Sequence, residues 1–249
     1  MSHAALVLAA LGLLLAVPSG SRAAPATKAG AEPLQVIIMG GGPTPEDAAA
    51  ALARFKAEVK DVASVATLAE GFPAIRTSDE LEGLKPGFQI VTVGFCPQSE
   101  VSDLLDVLRP FYPGTYARTV KGVTLDAPAC PALLARKESE ESAPAGKGLR
   151  LVLTFLGGEG VSLVRAALVQ KDGTVLDAET LDVTAGEECS AASVEPRGSG
   201  FVLRQECAGY FREMCNFAPS SSTWRITAKD GKVEVRAKHE GGERIECGE

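Results

Sequence analysis

LQVIIMGGGPTPEDAAAALARF, residues 34–55, decides how the first half of this chain is read. Leu34 to Met39 is a compact apolar run that ends in Gly40-Gly41-Gly42, which suits a strand with a tight exit. Thr44 then stands as an N-cap, with Pro45 at the first helical position and Asp47 completing a capping-box pattern. Ala48, Ala51, Leu52, Phe55 and Val59 follow at helical spacing and make one apolar face. The same unit returns at residues 88–108, FQIVTVGFCPQSEVSDLLDVL. There Phe88 to Val93 is a strand ending in Gly94, Val101, Leu104, Leu105 and Leu108 form a helical face, and Pro110 ends the helix. At one constant offset, Ile37, Met39, Gly40, Pro43 and Glu46 fall on Val91, Val93, Gly94, Pro97 and Glu100.

A further strand is expected around Pro73 to Thr77, before the turn Leu84-Lys85-Pro86-Gly87, and another over Thr115 to Val120. The order is then β-α-β-β-α-β, the split βαβ arrangement of ferredoxin-like folds, with two helices on one face of an antiparallel sheet. The other face is expected to be open. By strand parity it presents Val36, Ile38, Ile90 and Thr92, with Tyr116 and Arg118 on the closing strand. These six are the candidate ligand-binding residues, although an apolar face of this kind equally suits packing on a second domain.

The second half has no helical pattern. Leu149 to Phe155 alternates. Val161–Val169 and Thr174–Val183 flank Lys171-Asp172-Gly173, and Arg225–Ala228 and Lys232–Ala237 flank Lys229-Asp230-Gly231. Ser190–Val194 and Phe201–Glu206 flank a third turn, Pro196 to Gly200. A β-meander or sandwich of about eight short strands is expected. Arg136 to Gly148, RKESEESAPAGKG, has no apolar residue larger than alanine and reads as a linker. The overall class is α+β, with an N-terminal ferredoxin-like domain at 34–135, a linker at 136–148 and an all-β, disulfide-containing domain at 149–249.

Ahead of these, Ala4 to Val17 is an apolar run of signal-peptide length, broken by Pro18, Ser19 and Gly20, with small residues Ser21 and Ala23 placed for cleavage. A signal peptide at 1–23, a flexible leader at 24–33 and export to a periplasmic or extracellular location are expected, with no transmembrane segment in the mature chain. Six cysteines remain after cleavage, an even number that suits disulfides in an oxidising compartment. Cys189 and Cys207 lie symmetrically about Gly198 and are paired on that ground; Cys215 with Cys247 follows by elimination, one of three connectivities open to these four. Cys96 with Cys130 is left to the first domain. No C-x-x-C motif occurs and the mature chain holds one histidine, His239, so neither a zinc site nor any other cofactor is expected.

The stretch Leu84 to Phe95, the helix after it, and Phe111-Tyr112-Pro113-Gly114-Thr115-Tyr116-Ala117-Arg118-Thr119-Val120 together resemble bacterial SPOR-like domains over residues 34–121. That family shows a strand ending in Gly and an aromatic, a helix, and a closing strand with an aromatic and an Arg. The resemblance implies a βαββαβ domain of the cell envelope that binds peptidoglycan glycan strands stripped of their peptides. Family strands commonly carry a Gln two residues before the Gly; here those positions are Ile38 and Thr92, so the fold carries over better than the polar contacts do.

The net charge of -7 disfavours nucleic acid as a partner. Gly40-Gly41-Gly42 lacks the Lys and Ser/Thr of a P-loop and is read as a turn. A Ser-His-Asp hydrolase would have to use His239, and no G-x-S-x-G accompanies it. Glu187-Glu188 and Glu138 to Glu141 read as solvated charge, and Trp224, with Tyr210 and Phe211, as core before sugar platform. The expected function is non-enzymatic binding of glycan strands through the open sheet face. The alternatives are a partner or inhibitor of another envelope protein, or a hydrolase built on the β domain.

Overall fold

The computed structural model describes residues 33–123, 129–183, 189–212 and 215–247; the expected signal peptide and the leader up to residue 32 lie outside the described residues. Strand β1 (Leu34–Gly42) runs through Thr44 into helix α1 (Pro45–Ala63). The capping box forms as its pattern predicts. Thr44 Oγ1 accepts from the Asp47 amide at 3.2 Å, and the Asp47 carboxylate accepts from the Thr44 amide at 3.1 Å. Next come β2 (Ala66–Thr67), β3 (Ala74–Thr77), β4 (Gln89–Pro97), helix α2 (Gln98–Leu108) and β5 (Tyr116–Thr119). Strands β3-β4-β1-β5 lie side by side in that order, every pair antiparallel. Both helices pack on one face of this sheet, where Ile37, Met39, Phe55, Val93, Leu104 and Leu108 share a core.

Residues read as a linker are not one. After β6 (Ala132–Leu133), which pairs with β2, Arg136–Gly146 forms β7, antiparallel to β8 (Leu149–Gly158). Lys147 (φ 50°) and Gly148 (φ 76°) make the two-residue turn between them. An edge strand needs only backbone to pair with and one small residue to face inward, here buried Ala143. The charged side chains on β7 also protect a free edge from pairing with other chains.

β9 (Val161–Val169) and β10 (Val175–Asp182) complete a sheet of order β10-β9-β8-β7. Then follow β11 (Ser193–Arg197), β12 (Gly200–Cys207), β13 (Tyr210–Arg212), β14 (Cys215–Phe217), β15 (Ser220–Lys229), β16 (Lys232–Gly241) and β17 (Arg244–Cys247). They give a second four-stranded sheet, β11-β12-β15-β16, and a small one, β13-β14-β17. The hairpin turns fall where Asp-Gly predicts them: Asp230 and Gly231 both adopt positive φ between β15 and β16. Leu151, Leu153, Val164 and Leu168 from one large sheet and Phe201, Leu203, Ile226 and Val233 from the other form one core. The second half is thus β-rich, without a helix among the described residues.

Two disulfides are described. Cys189–Cys207 closes the hairpin of β11 and β12 from a bridge just outside it. Cys96–Cys130 ties the end of β4 to the chain leaving the first lobe, and the Phe95 amide donates to Ala129 O beside it at 3.0 Å. That approach requires Gly94, since a Cβ there would stand 2.6 Å from the Ala129 carbonyl oxygen. The backbone register sets Cys215 opposite Cys247; their side chains, and so that expected bond, lie outside the described residues.

The boundary between the halves is also not the expected one. Ala135, Leu156 and Leu163 belong to the same core as Phe55, Leu104, Leu108 and Phe111. Arg165, on β9, reaches across to α1, with Nη2 2.7 Å from Glu58 Oε2 and Nη1 3.0 Å from Asp61 Oδ2. The described residues from 33 onward accordingly form one unit rather than two domains on a tether.

Candidate functional site

The face of the first sheet turned away from the helices holds the six residues that parity selected. Register pairs Ile38 with Tyr116 and Val36 with Arg118 across β1 and β5. It pairs Ile38 with Thr92 across β1 and β4, and Ile90 with Arg76 across β4 and β3. This face is not open, which corrects the expectation. Val36 and Thr92 are 0 % exposed, Ile38 1 % and Ile90 5 %. Leu81, Leu84, Phe88, Phe72 and Val120 cover them in a small core of their own. The physical reason is the apolar character of Val36, Ile38 and Ile90: leaving such surface wet costs about 25 cal/mol per Å², and the segment after β3 carries the side chains to cover it. Thr92 is spent as well, its hydroxyl donating to Ala74 O at 3.1 Å.

The cover meets the end of β5 at Thr119 but leaves Tyr116 and Arg118, nearer its start, exposed. There Ile38 and Ile90 floor a recess of about 360 Å³, walled by Leu84, Lys85 and Phe88 on one side and by Tyr116 and Arg118 on the other. The wall of residues 84–88 is fastened from below. The Phe88 amide donates to Ser78 Oγ at 3.0 Å, the Ser78 amide to Phe88 O at 2.8 Å, and the Gly87 amide to Asp79 Oδ2 at 3.1 Å. Gly83 (φ 106°) lies against Thr119 O of β5, so a side chain there would lift the loop from the strand. Each wall carries a cation over an aromatic ring: Lys85 Nζ is 5.3 Å from the Phe88 centroid, and the Arg118 guanidinium carbon 5.3 Å from that of Tyr116. Tyr116, the first residue of this edge strand, remains 38 % exposed. Four of the six expected residues therefore meet at one site, while Val36 and Thr92 do not reach it.

Lys85 falls in the stretch 84–87, which reads as a plain turn, and Phe88 reads only as the first residue of the strand that follows; the signal for both is Leu81, Leu84 and Phe88, apolar residues with no regular spacing around that turn. Arg165 was missed too, although a lone charge inside VSLVRAALV is visible in the sequence. It lines a larger cavity, about 740 Å³, at the seam of the two halves with Arg54, Glu58, Tyr112 and Leu176. The polar groups of that cavity are largely committed within the protein. Arg165 is held by Glu58, Asp61 and Thr180, Tyr112 Oη donates to Phe55 O at 2.9 Å, and Asp177 accepts from the Val233 amide at 2.7 Å. Burial and then Glu58 push the Tyr112 hydroxyl pKa well above its ordinary value.

The other candidates fall to ordinary roles. The helix N-terminus after Gly40-Gly41-Gly42 is occupied by the protein's own Asp47 carboxylate. Glu138 and Glu140 sit on β7, Glu140 paired with Lys137. Trp224 packs against the β core. Glu187 and Glu188, and the side chains of Tyr210 and Phe211, lie outside the described residues. Ser222 Oγ and His239 Nδ1 approach to 2.6 Å across β15 and β16, on an exposed part of the sheet, with no carboxylate bonded to the ring among the described contacts. No cluster that could hold a metal, and no helix long and apolar enough to cross a membrane, occurs among the described residues. No family model, curated protein or solved structure matches the chain.

Proposed function

We propose that this chain is an exported, non-enzymatic binding protein of the bacterial envelope, whose SPOR-like first half holds a peptidoglycan glycan strand at the recess beside β5. The ferredoxin-like reading behind this is supported by the strand order β3-β4-β1-β5, by its antiparallel pairing and by two helices on one face. The saccharide reading rests on one observation above all: Tyr116, exposed at the rim of a recess with an apolar floor, beside Arg118. An exposed aromatic face suits the C–H face of a sugar, and the neighbouring guanidinium suits its oxygens. With the sheet face covered, a glycan cannot lie along the strands. A recess of about 360 Å³ is at the small end of ligand sites, so one or two sugar rings, or a strand end, are what it accommodates.

The test is sedimentation of the whole mature chain with purified sacculi, before and after amidase treatment. Retention on amidase-treated sacculi, weakened roughly tenfold by Tyr116→Ala, a factor equal to about 1.4 kcal/mol, is the expected result. Equal retention of wild type and Tyr116→Ala, at unchanged stability, refutes this site. Of the alternatives, a partner or inhibitor of another envelope protein comes first, and a hydrolase on the β domain has only the Ser222–His239 contact in its favour.

A further inference from the structure

We infer that the recess selects a ligand bearing an acidic group, so that an acidic saccharide rather than a neutral one is its partner; this rests on the saccharide reading above. The chain has 32 acidic and 25 basic residues, yet the recess is lined by Lys85 and Arg118 and by no carboxylate. Neither cation has a carboxylate within ion-pair distance among the described contacts, and each rests on the aromatic ring of its own wall. Contacts of that kind at exposed sites are weaker than charge-assisted hydrogen bonds, so an arriving anion can draw both side chains off their rings. Between them the floor is apolar, Ile38 and Ile90, with no charge to satisfy. A ligand that fills the recess must therefore be two-sided, with an apolar or C–H face downward and an anion at the rim between β5 and the 84–88 wall. A neutral sugar leaves the two cations where they are. A basic one meets like charge on both sides.

A carboxylate and a phosphate share this chemistry, and calorimetry on the whole mature chain tells them apart. The probes are a neutral N-acetylhexosamine oligosaccharide, the same length of chain bearing free carboxylates, its methyl ester, a phosphorylated counterpart, and plain acetate and inorganic phosphate. The acidic oligosaccharide is expected to bind on the order of tenfold tighter than its ester, as two charge-assisted contacts allow. In Lys85→Gln/Arg118→Gln that ratio falls to near one, whereas Arg225→Gln, an exposed cation on β15, keeps it. Binding of the phosphorylated probe in place of the carboxylated one names phosphate as the anion and still supports the inference. Equal binding of acid and ester by the wild type overturns it while leaving the saccharide reading intact. Acetate or phosphate alone binding as tightly as the acidic oligosaccharide overturns the saccharide reading and leaves the acidic selection. No binding of any probe overturns both.

Discussion

Arg165 gives the sharpest test of how the two halves hold together, because burial is unequal across its ion pairs. Its side chain is 4 % exposed, while those of Glu58 and Asp61 are 35 % and 36 % exposed. Removing the carboxylates and removing the guanidinium are therefore different perturbations. In Glu58→Gln/Asp61→Asn a buried cation loses both counter-charges, and breaking a buried pair this way costs about 3–5 kcal/mol. In Arg165→Met the two acids left behind are a third exposed and water takes them over. The methionine fills much the same volume against Phe111, whose ring centroid lies 5.0 Å from the guanidinium carbon. Thr180 keeps Asp61 as an acceptor, at 2.6 Å. Arg165 Nε is, besides, buried without a partner, a cost the substitution removes. The loss for Arg165→Met is therefore expected at about 1 kcal/mol or less, because the large penalty for breaking a buried pair comes from the unpaired buried charge it leaves, and here none is left. Urea unfolding of both variants at neutral pH, followed by circular dichroism, measures the difference. If Arg165→Met proves as costly as the double acid variant, the reasoning from unequal burial is wrong.

Two further outcomes follow from the structure. Tyr112 has its hydroxyl pKa raised above the ordinary value of 10, so the unfolded chain ionises it first. Its contribution is fully present below about pH 10 and is lost as pH rises beyond that, towards the folded value; a stability profile from pH 8 to 11 should fall more steeply for wild type than for Tyr112→Phe, which at pH 8 should cost about 0.5–1.5 kcal/mol for the bond to Phe55 O. Strand β7 should resist trypsin and glutamyl protease at Lys137, Glu138, Glu140 and Glu141 under native conditions, since its backbone is paired with β8 along its length; rapid cleavage there with the rest of the chain intact would restore the linker reading.

What was legible in the sequence is what is decided locally. Thr44, Pro45 and Asp47 specify a helix start within four residues, and the capping box forms between those same atoms. The Asp-Gly turns and the symmetric placing of Cys189 and Cys207 are equally short-range, and both are found. What was hidden depends on distant partners. Nothing within Arg136–Gly146 announces a strand, because β7 is made by the backbone of β8 and one buried alanine. Parity correctly put Ile38, Ile90, Tyr116 and Arg118 on one face, but whether a face is wet depends on what else the chain folds over it. Leu81, Leu84 and Phe88 do so at no recognisable period. The recess exists only where that covering ends, so half of its lining could not be read from the strands alone.

The shared core at Ala135, Leu156 and Leu163 bears on anyone who wishes to shorten this protein. A fragment stopping at residue 135 would hold its four-stranded sheet and both helices, yet would lose Leu156 of β8 and Leu163 of β9 from the core they share with Leu108 and Phe111. Such a piece has a raw seam in place of a finished surface, and clumping of the excised half would say nothing about what the intact molecule binds.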